Sequence, residues 1–353
     1  MHPPSLAELR GRLMRAPLGR DITGKPKMPS PLRAPARCAG PWLAACSARP
    51  RPAARNPQPA ACGPGKGRPV ELPVQPNRIA LPDAPDGGFN LHVLASGSKG
   101  NAAVIEAGGH AVLVDCGITK KAFFERCGAC GIDPANIEGI IVTHEHSDHT
   151  KGLGVVLRGL AKLGIRPPVH CTPGTLGNSR ELQGLQGAFE INAVADTACL
   201  QIGSIRAQLF PTSHDAAQPV GMAFEVAAGD GFDTLGYLTD SGVLPEAAVG
   251  LFARARILAL ESNHDPKMLA EGPYPYPLKQ RIASDAGHLS NGQSAEALDR
   301  IAPSGLQAIC GMHLSETNNL HRLAREALAA AGGPHVVAAA WQDMPFSLVA
   351  SAR

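Results

Sequence analysis

From residue 90 onward, apolar residues fall into short runs separated by glycine-rich turns, a spacing that predicts a chain built largely of strands. Residues 91–95, 102–107 and 110–115 read as three successive strands. A helix is expected over 119–130, then a buried strand over 139–143 and a second helix over 151–163. A further group of strands follows at 205–210, 220–226 and 234–239, with another buried strand at 257–261. Helices near 278–283, 294–301 and 316–331 and strands at 307–310 and 336–340 complete the pattern. Two strand-rich halves, each with its own helices and no internal repeat, predict a sheet-on-sheet sandwich covered by helices on both outer faces.

Residues 1–88 break this pattern. They are rich in Pro, Arg, Ala and Gly, poor in β-branched residues, and show no sustained period. Such a segment buries too little apolar surface to offset its chain entropy, so it is expected to be a disordered extension, with the folded domain over 89–353. On this reading, removal of residues 1–85 leaves folding and the turnover of a short substrate intact. The extension is then either without function or an arm that binds nucleic acid.

Charge sharpens the division. The whole chain carries a formal net charge of +3, but residues 1–83 hold about +10 of it and the remainder about −7. The folded part therefore has no global attraction for polyanions, and any affinity for phosphate must be local. Aromatic residues make up only 4% of the chain, which argues against extended base-stacking platforms. Nine cysteines, an odd number without a disulfide-like framework, together with no leader-like or membrane-length apolar run, fit reduced thiols and a cytoplasmic protein that makes no membrane contact. Cys127-Gly128-Ala129-Cys130 has redox or zinc spacing, but with no second pair it reads as two ordinary helix-end cysteines. Nothing in the sequence bears on oligomeric state.

The chemistry is concentrated in His144-Glu145-His146-Ser147-Asp148-His149, at a strand-to-helix corner. His144 and His146, two apart beyond a strand, can turn both imidazoles toward one ion, while Asp148 and His149 open the next helix and can serve a second. Imidazole with carboxylate is a ligand set that zinc, manganese or iron accepts. Further candidates follow apolar runs and precede turns: His214 in Pro211-Thr212-Ser213-His214-Asp215, Asp240 in Leu238-Thr239-Asp240-Ser241-Gly242, and His313 in Gly311-Met312-His313-Leu314-Ser315. No Ser-His-Asp arrangement, dinucleotide fingerprint or P-loop competes with them.

These motifs resemble those of the metallo-β-lactamase superfamily, across about residues 90–350. The resemblance implies a four-layered αββα sandwich and two divalent metal ions, zinc first, with manganese and iron as alternatives. Asp115, in Val114-Asp115-Cys116-Gly117, looks like the first motif and the histidine cluster like the second. By this likeness one metal takes His144, His146 and His214, and the other takes Asp148, His149 and His313. Asp240 bridges them, and Asp115 supports the cluster from behind. Two cations sharing a water lower its pKa, and the resulting hydroxide attacks carbon or phosphorus.

Further segments narrow the branch. Residues 94–102 (LASGSKGNA), Glu261-Ser262-Asn263-His264-Asp265, residues 272–281 (GPYPYPLKQR), Gly287-His288-Leu289-Ser290-Asn291 and residues 313–319 (HLSETNN) look like the YycJ/WalJ-type branch, related to tRNase Z. Members of that branch are regarded as 5′→3′ DNA exonucleases. The likeness adds Glu261 and His288 to Asp148 as catalytic residues: His288 protonates the departing alkoxide and Glu261 supports the imidazole. About seventy residues separate Asp240 from His313, which leaves no room for a β-CASP insertion. Lys279 and Arg281 suit a phosphate contact or a solvated helix face equally well, and His264 and Cys171 read as structural. DNA is thus the expected partner. A small-molecule hydrolase of a cyclic phosphodiester or thioester, favoured by the acidic charge of the domain, is the alternative on the same fold.

Overall fold

The computed structural model describes residues 77–81, 83–331 and 336–350. Two mixed sheets stack face to face. The first contains β1 (Arg78–Leu81), β2 (Asn90–Ala95), β3 (Ala102–Ala107), β4 (His110–Val114), β5 (Ile137–Ile141), β6 (Val169–Cys171), β7 (Ile191–Ala193) and β15 (Phe346–Ala350), in the order β1-β15-β2-β3-β4-β5-β6-β7. The second contains β8 (Cys199–Ile202), β9 (Ile205–Pro211), β10 (Val220–Ala228), β11 (Gly231–Leu238), β12 (Ile257–Glu261), β13 (Ala308–Met312) and β14 (Val336–Ala339), in the order β14-β13-β12-β11-β10-β9-β8. In each sheet the antiparallel strands pass over to parallel pairing, at β4 with β5 in the first and at β11 with β12 in the second.

The near-continuous apolar character of these strands follows from burial on both faces. In β3, Ala103 and Ile105 pack between the sheets, while Ala102 and Val104 face the helical layer. In β12, Ile257 and Ala259 pack between the sheets, and Leu258 and Leu260 face outward under helices. The period of two is thus preserved, although both phases are apolar. Helices α1 (Lys120–Cys130), α2 (Ser147–Thr150), α3 (Leu153–Lys162), α4 (Pro173–Asn178) and α5 (Arg180–Leu185) follow strands of the first sheet. Phe123 of α1 and Val156, Leu157 and Leu160 of α3 close its outer face. Helices α6 (Glu246–Phe252), α7 (Pro266–Glu271), α8 (Tyr276–Ile282), α9 (Asn291–Ile301) and α10 (His321–Ala330) belong to the second half, where Phe252, Leu298 and Leu328 close the other outer face. The result is the expected αββα sandwich, without an inserted domain between Asp240 and His313.

Three expectations need correction. The boundary at residue 88 cuts into the sheet: β1 pairs in parallel with β15, and Leu81 is fully buried. A four-residue strand with exposed alternate positions has too little pattern to stand out beside a Pro-rich neighbourhood. Residues 1–76 of the extension lie outside the described residues. The helix expected from 316 begins only at His321, because Ser315 Oγ accepts from Asn318 N at 3.1 Å and Asn319 Nδ2 donates to the carbonyls of Ser262 and Asn263. Side chains that bond nearby backbone hold this stretch out of helix. Finally, β6, β7, β8, α4 and α5 fill a stretch for which the pattern predicted no elements, each being too short for a period to emerge.

A buried ion pair ties the entry of the first sheet to the second. Arg256 Nε lies 2.9 Å from Asp233 Oδ1, and the same two side chains satisfy both backbone groups of Phe89: its N–H donates to Asp233 Oδ2 and its carbonyl accepts from Arg256 Nη2, each at 2.8 Å. Cys127 and Cys130 are buried on α1, and burial pushes the Cys127 thiol up to about 12 and the Cys171 thiol up to about 11, as inert structural cysteines require. Among the described residues no helix is long and apolar enough to cross a membrane.

Truncation through residue 85 should therefore cost stability, whereas a chain that starts at residue 77 keeps β1. Leu81 alone is worth roughly 1.5–3 kcal/mol of burial, so thermal unfolding should come several degrees lower in the shorter chain. Equal melting temperatures would show that β1 adds nothing. Asp233→Ala leaves the Arg256 guanidinium buried without its partner and should cost about 3–5 kcal/mol, read by denaturant unfolding.

Candidate metal centre

The candidate residues all emerge at one end of the two sheets. Asp115 directly follows β4, the histidine cluster follows β5, His214 follows β9, Asp240 follows β11, Glu261 ends β12 and His313 directly follows β13. Asp115, Asp240 and His313 have φ of 56°, 54° and 54°, and they are three of the four non-glycine residues with positive φ among those described. Left-handed backbone at a residue with a Cβ costs of order 1–3 kcal/mol, and such strain gathers where side-chain direction matters more than stability. Here it turns each side chain sharply off its strand end.

Three ring nitrogens meet first. His146 Nδ1 lies 3.0 Å from His144 Nε2 and 3.3 Å from His214 Nε2. The neighbours of two of these rings settle which nitrogens carry protons. His214 Nδ1 faces the Gly287 carbonyl at 3.0 Å, and a carbonyl only accepts, so Nδ1 carries the hydrogen and Nε2 offers a lone pair. His144 Nδ1 donates to Thr143 Oγ1 at 3.1 Å, since that hydroxyl spends its own hydrogen on Asp115 Oδ2 at 2.8 Å. Two lone pairs, on His144 Nε2 and His214 Nε2, therefore face His146 Nδ1, an arrangement that a cation among the three atoms would satisfy. Tetrahedral zinc, with Zn–N about 2.0–2.1 Å, holds its ligand atoms about 3.3 Å apart, which matches the observed spacing.

A second group lies beside the first. His149 Nε2 is 3.5 Å from Asp148 Oδ2 and 3.3 Å from Asp240 Oδ2, and His313 Nε2 is 3.5 Å from Asp148 Oδ2. His149 Nδ1 donates to Asp115 Oδ2 at 2.8 Å, which leaves its Nε2 free. Asp115 thus touches Thr143 and His149 from behind. Asp240 Oδ2 and His313 Nε2 are buried without a hydrogen-bond partner, the condition expected of atoms that await a metal. Asp240 faces both groups, with Oδ1 3.9 Å from His214 Nε2 and Oδ2 3.3 Å from His149 Nε2. The ligand atoms of His144, His146 and His214, of Asp148, His149 and His313, and of His144, His149 and Asp240 each lie within 4.8 Å of one another. The residues present therefore fit divalent cations.

Electrostatics point the same way. Burial opposes charge on His149, but Asp240 and Asp115 outweigh it and push that imidazole well above its ordinary range. Burial likewise opposes charge on His313, yet Asp240, Asp148 and Glu261 drive it up to about 10. His144 goes the other way, pushed well down by burial and by repulsion from His149, His214 and His146. Carboxylates are therefore in excess at the second group and demand positive charge there. Burial would raise Asp148, but His149 and His313 hold its carboxyl far below the usual range.

Glu261 sits between this centre and His288. Its Oε1 is 2.8 Å from His288 Nδ1 and 3.2 Å from His313 Nδ1, and its Oε2 accepts from the backbone N–H of Ser241 at 2.8 Å and of Leu289 at 3.2 Å. Burial works against its charge, but His288 and His313 hold the carboxyl well below the usual glutamate range. The sequence reading gave Glu261 one imidazole to support; the structure gives it two, one of them on a candidate ligand. His288 Nδ1 is also 3.7 Å from Asp240 Oδ1.

Other supports were not singled out from the sequence. Ser96 Oγ accepts from His313 N at 2.7 Å, and Asn101 Nδ2 lies 3.3 Å from Asp148 Oδ2 and 3.0 Å from His149 Nε2. Both lie in the 94–102 segment, whose glycines let the chain double back: at Gly100, with φ 149°, a Cβ would stand 2.6 Å from the Gly117 carbonyl oxygen. Asn263 Nδ2 donates to the His313 carbonyl at 2.8 Å, and Glu145 Oε1 accepts from Ala217 N at 2.7 Å. Lys279 and Arg281 are already engaged, the first with the Ala270 carbonyl at 2.7 Å and the second with Asp215, next to His214. His264 and Cys171 are buried, and burial holds the His264 imidazole down near about 4.

Comparison with known proteins agrees with this geometry. The family model described as "Beta-lactamase superfamily domain" matches residues 110–311. The chain is 36% identical over 240 residues to "Exodeoxyribonuclease YycJ" of Bacillus anthracis, which covers 67% of this chain and 87% of that protein. It is 33% identical over 246 residues to "Exodeoxyribonuclease WalJ" of Streptococcus pneumoniae, covering 67% and 86%. Among solved structures, the metallo-β-lactamase fold protein YhfI from Bacillus subtilis superposes with a TM-score of 0.55 at 18% identity, covering 73% of this chain and 99% of that one. A diphosphatase of the PhnP family superposes with a TM-score of 0.53 at 19% identity, covering 73% and 96%. These two likenesses concern the fold. Sequence match, fold and ligand geometry together make this chain a metal-dependent hydrolase of the metallo-β-lactamase superfamily, in the branch of YycJ and WalJ.

Proposed function

We propose that this protein is a nuclease that hydrolyses phosphodiesters with two divalent metal ions, and more narrowly a DNA exonuclease of 5′→3′ polarity. His144, His146 and His214 would hold one ion, zinc by preference, and Asp148, His149 and His313 the other, with Asp240 facing both groups and Asp115 fixing His149. When bound, the two cations acidify a water and supply positive charge where the phosphoryl oxygens gain negative charge. The protein's own residues supply the proton. The observation that carries the reading is the 2.8 Å contact between His288 Nδ1 and Glu261 Oε1, 3.7 Å from Asp240. The carboxylate accepting from Nδ1 fixes the ring, and Nε2, without a protein partner among the described residues, would donate to the departing alkoxide. DNA has a poor alkoxide leaving group and needs that proton. The names of the relatives, exodeoxyribonucleases at 36% and 33% identity, support the choice of substrate.

The rival reading, a small-molecule ester hydrolase, draws on the net charge of about −7 outside residues 1–83. It predicts equal or better turnover of compact substrates and no dependence on strand polarity. Release of 5′ label before 3′ label from single- and double-stranded DNA supports the proposal, and the reverse order contradicts its polarity.

Purified protein should carry close to two equivalents of divalent metal, and a chelator should abolish activity. Asp240→Ala should lower the metal content and stop turnover of every substrate. Trace metal with full activity in excess chelator would refute the mechanism.

His288→Ala should retain its metal and cleave DNA about 10²–10⁴-fold more slowly, the usual worth of general acid catalysis. The defect should shrink for an activated aryl phosphodiester, whose phenolate leaves without a proton. An unchanged ratio of DNA to aryl-ester turnover, at full occupancy, removes His288 from the acid role.

Glu261→Gln should act on both imidazoles. It should reproduce the leaving-group dependence of His288→Ala and also weaken metal binding by about 10–100-fold, the usual effect of losing a carboxylate behind a ligating histidine. Chelator competition reads the second effect separately, and unchanged metal affinity would limit Glu261 to His288.

A further inference from the structure

On the outer side of the metal corner lies a groove that the hydrolytic chemistry leaves unused. It encloses a cavity of about 590 Å³ between α1 and α3, and its charged lining is entirely basic: Lys120, Lys121, Lys151, Arg158 and Lys162, with no Asp or Glu. All five cations are exposed. Lys121 has only a loose pairing with Glu125 at 3.8 Å, and Lys151 Nζ donates to the Lys99 carbonyl at 2.9 Å. Lys120, Arg158 and Lys162 form no ion pair among the described residues. Such a group is out of keeping with a folded part whose net charge is about −7.

Folding does not account for this arrangement. Lys120 and Lys121 occupy the first turn of α1, which has no acidic residue, where the partial positive charge of the helix end disfavours cations. Arg158 and Lys162 stand four apart on α3, the spacing at which like charges repel. On α3 the charged residues, Arg158 and Lys162, are of one sign, so an anion in the groove relieves their repulsion.

The groove is also one peptide layer from the ligands. Its wall includes Gly117 and Gly152. Cys116 N donates to the His149 carbonyl and Gly152 N to the Cys116 carbonyl, both at 2.9 Å, and a Cβ on Gly117 would stand 1.7 Å from the Asp148 carbonyl oxygen. The wall of the groove is thus the reverse side of the corner that presents Asp148 and His149.

We propose that this groove binds the sugar–phosphate backbone of a nucleic-acid strand whose end lies at the metal centre; the inference rests on the nuclease reading and adds to it the track of the strand. Recognition is by charge, independent of sequence, and sensitive to salt.

The test uses the full-length, metal-loaded protein and the double charge reversal Arg158→Glu/Lys162→Glu. Three quantities are compared with wild type: affinity for a short fluorescein-labelled phosphorothioate strand, which resists cleavage; the dependence of that affinity on salt; and turnover of bis(p-nitrophenyl) phosphate. Affinity should fall at least tenfold, and the slope of log affinity against log salt should shrink by about 0.7 for each lost single-strand phosphate contact. Turnover of the aryl ester should stay within twofold, which also shows that the fold and the metals survive. If the reversal impairs folding, the milder Lys121→Gln/Arg158→Gln protein takes its place, with a smaller loss in the same direction expected. Unchanged affinity and slope overturn the groove, as does a wild-type protein that binds no strand. DNA degraded equally by both proteins overturns the groove and leaves the nuclease reading standing. Groove-dependent binding without any DNA hydrolysis by wild type supports the groove and overturns the nuclease reading instead.

Discussion

Seven side chains crowded with nitrogen lone pairs and carboxylate oxygens are held together at one end of the sandwich, and much of the architecture serves to keep them there. The lone pairs of His144 Nε2 and His214 Nε2, both turned to His146, and a partnerless Asp240 Oδ2 would not gather in a buried site of a chain free to relax. The restraint comes from strands buried on both faces, which cannot slip by one residue without reversing two apolar layers at once. Because the strands are rigid, their ends are fixed points, and the left-handed turns at Asp115, Asp240 and His313 convert those points into side-chain directions. A divalent cation held there would share these lone pairs, so binding of metal and completion of the site would be one event.

The same crowding explains why carboxylates do more than one task. Asp115 accepts from Thr143 and His149 and so fixes the tautomer of a ligand without touching the ligand cavity. Glu261 holds the Nδ1 atoms of both His288 and His313 on a single oxygen, while Ser241 and Leu289 fix its other oxygen. That sharing couples the position of His288 to that of His313. A shift of Glu261 toward one imidazole lengthens its contact with the other, so the position of His288 depends on how firmly His313 is held from its far side.

The seven residues that gather at the candidate centre were legible in the sequence because they obey a local rule: each stands just beyond an apolar run, and four of the seven fall within six consecutive positions. The long strands were legible for the same reason, since a buried strand announces itself by composition alone. What escaped notice depends on tertiary neighbours. The three-residue strands β6 and β7 carry too few positions for a period, and β1 becomes a strand only because β15, more than 260 residues later, offers it an edge. Residues 316–320 have the composition of a helix start, yet the side chain of Asn319 is used to bridge Ser262 and Asn263. Ser96 and Asn101 lie in a segment singled out as a whole for its likeness to one branch, but their contacts with His313, Asp148 and His149 exist only after the chain has folded back on itself.

Charge shows most clearly why sums over a sequence mislead. The folded part is acidic overall, and some of that acidity is the metal centre itself: Asp115, Asp148, Asp240 and Glu261 lie buried or half-buried and are answered there by imidazoles and by the cations their geometry fits. Another buried acid, Asp233, is answered by Arg256. Carboxylates neutralised within the fold project little field to the outside, whereas the lysines and arginine along α1 and α3 are exposed and act at full strength within a screening length of about 8–10 Å. An approaching polyanion therefore meets a surface more basic than the formal charge states. That local field extends beside the candidate metal centre, so a negative net charge does not weigh against a nucleic-acid substrate.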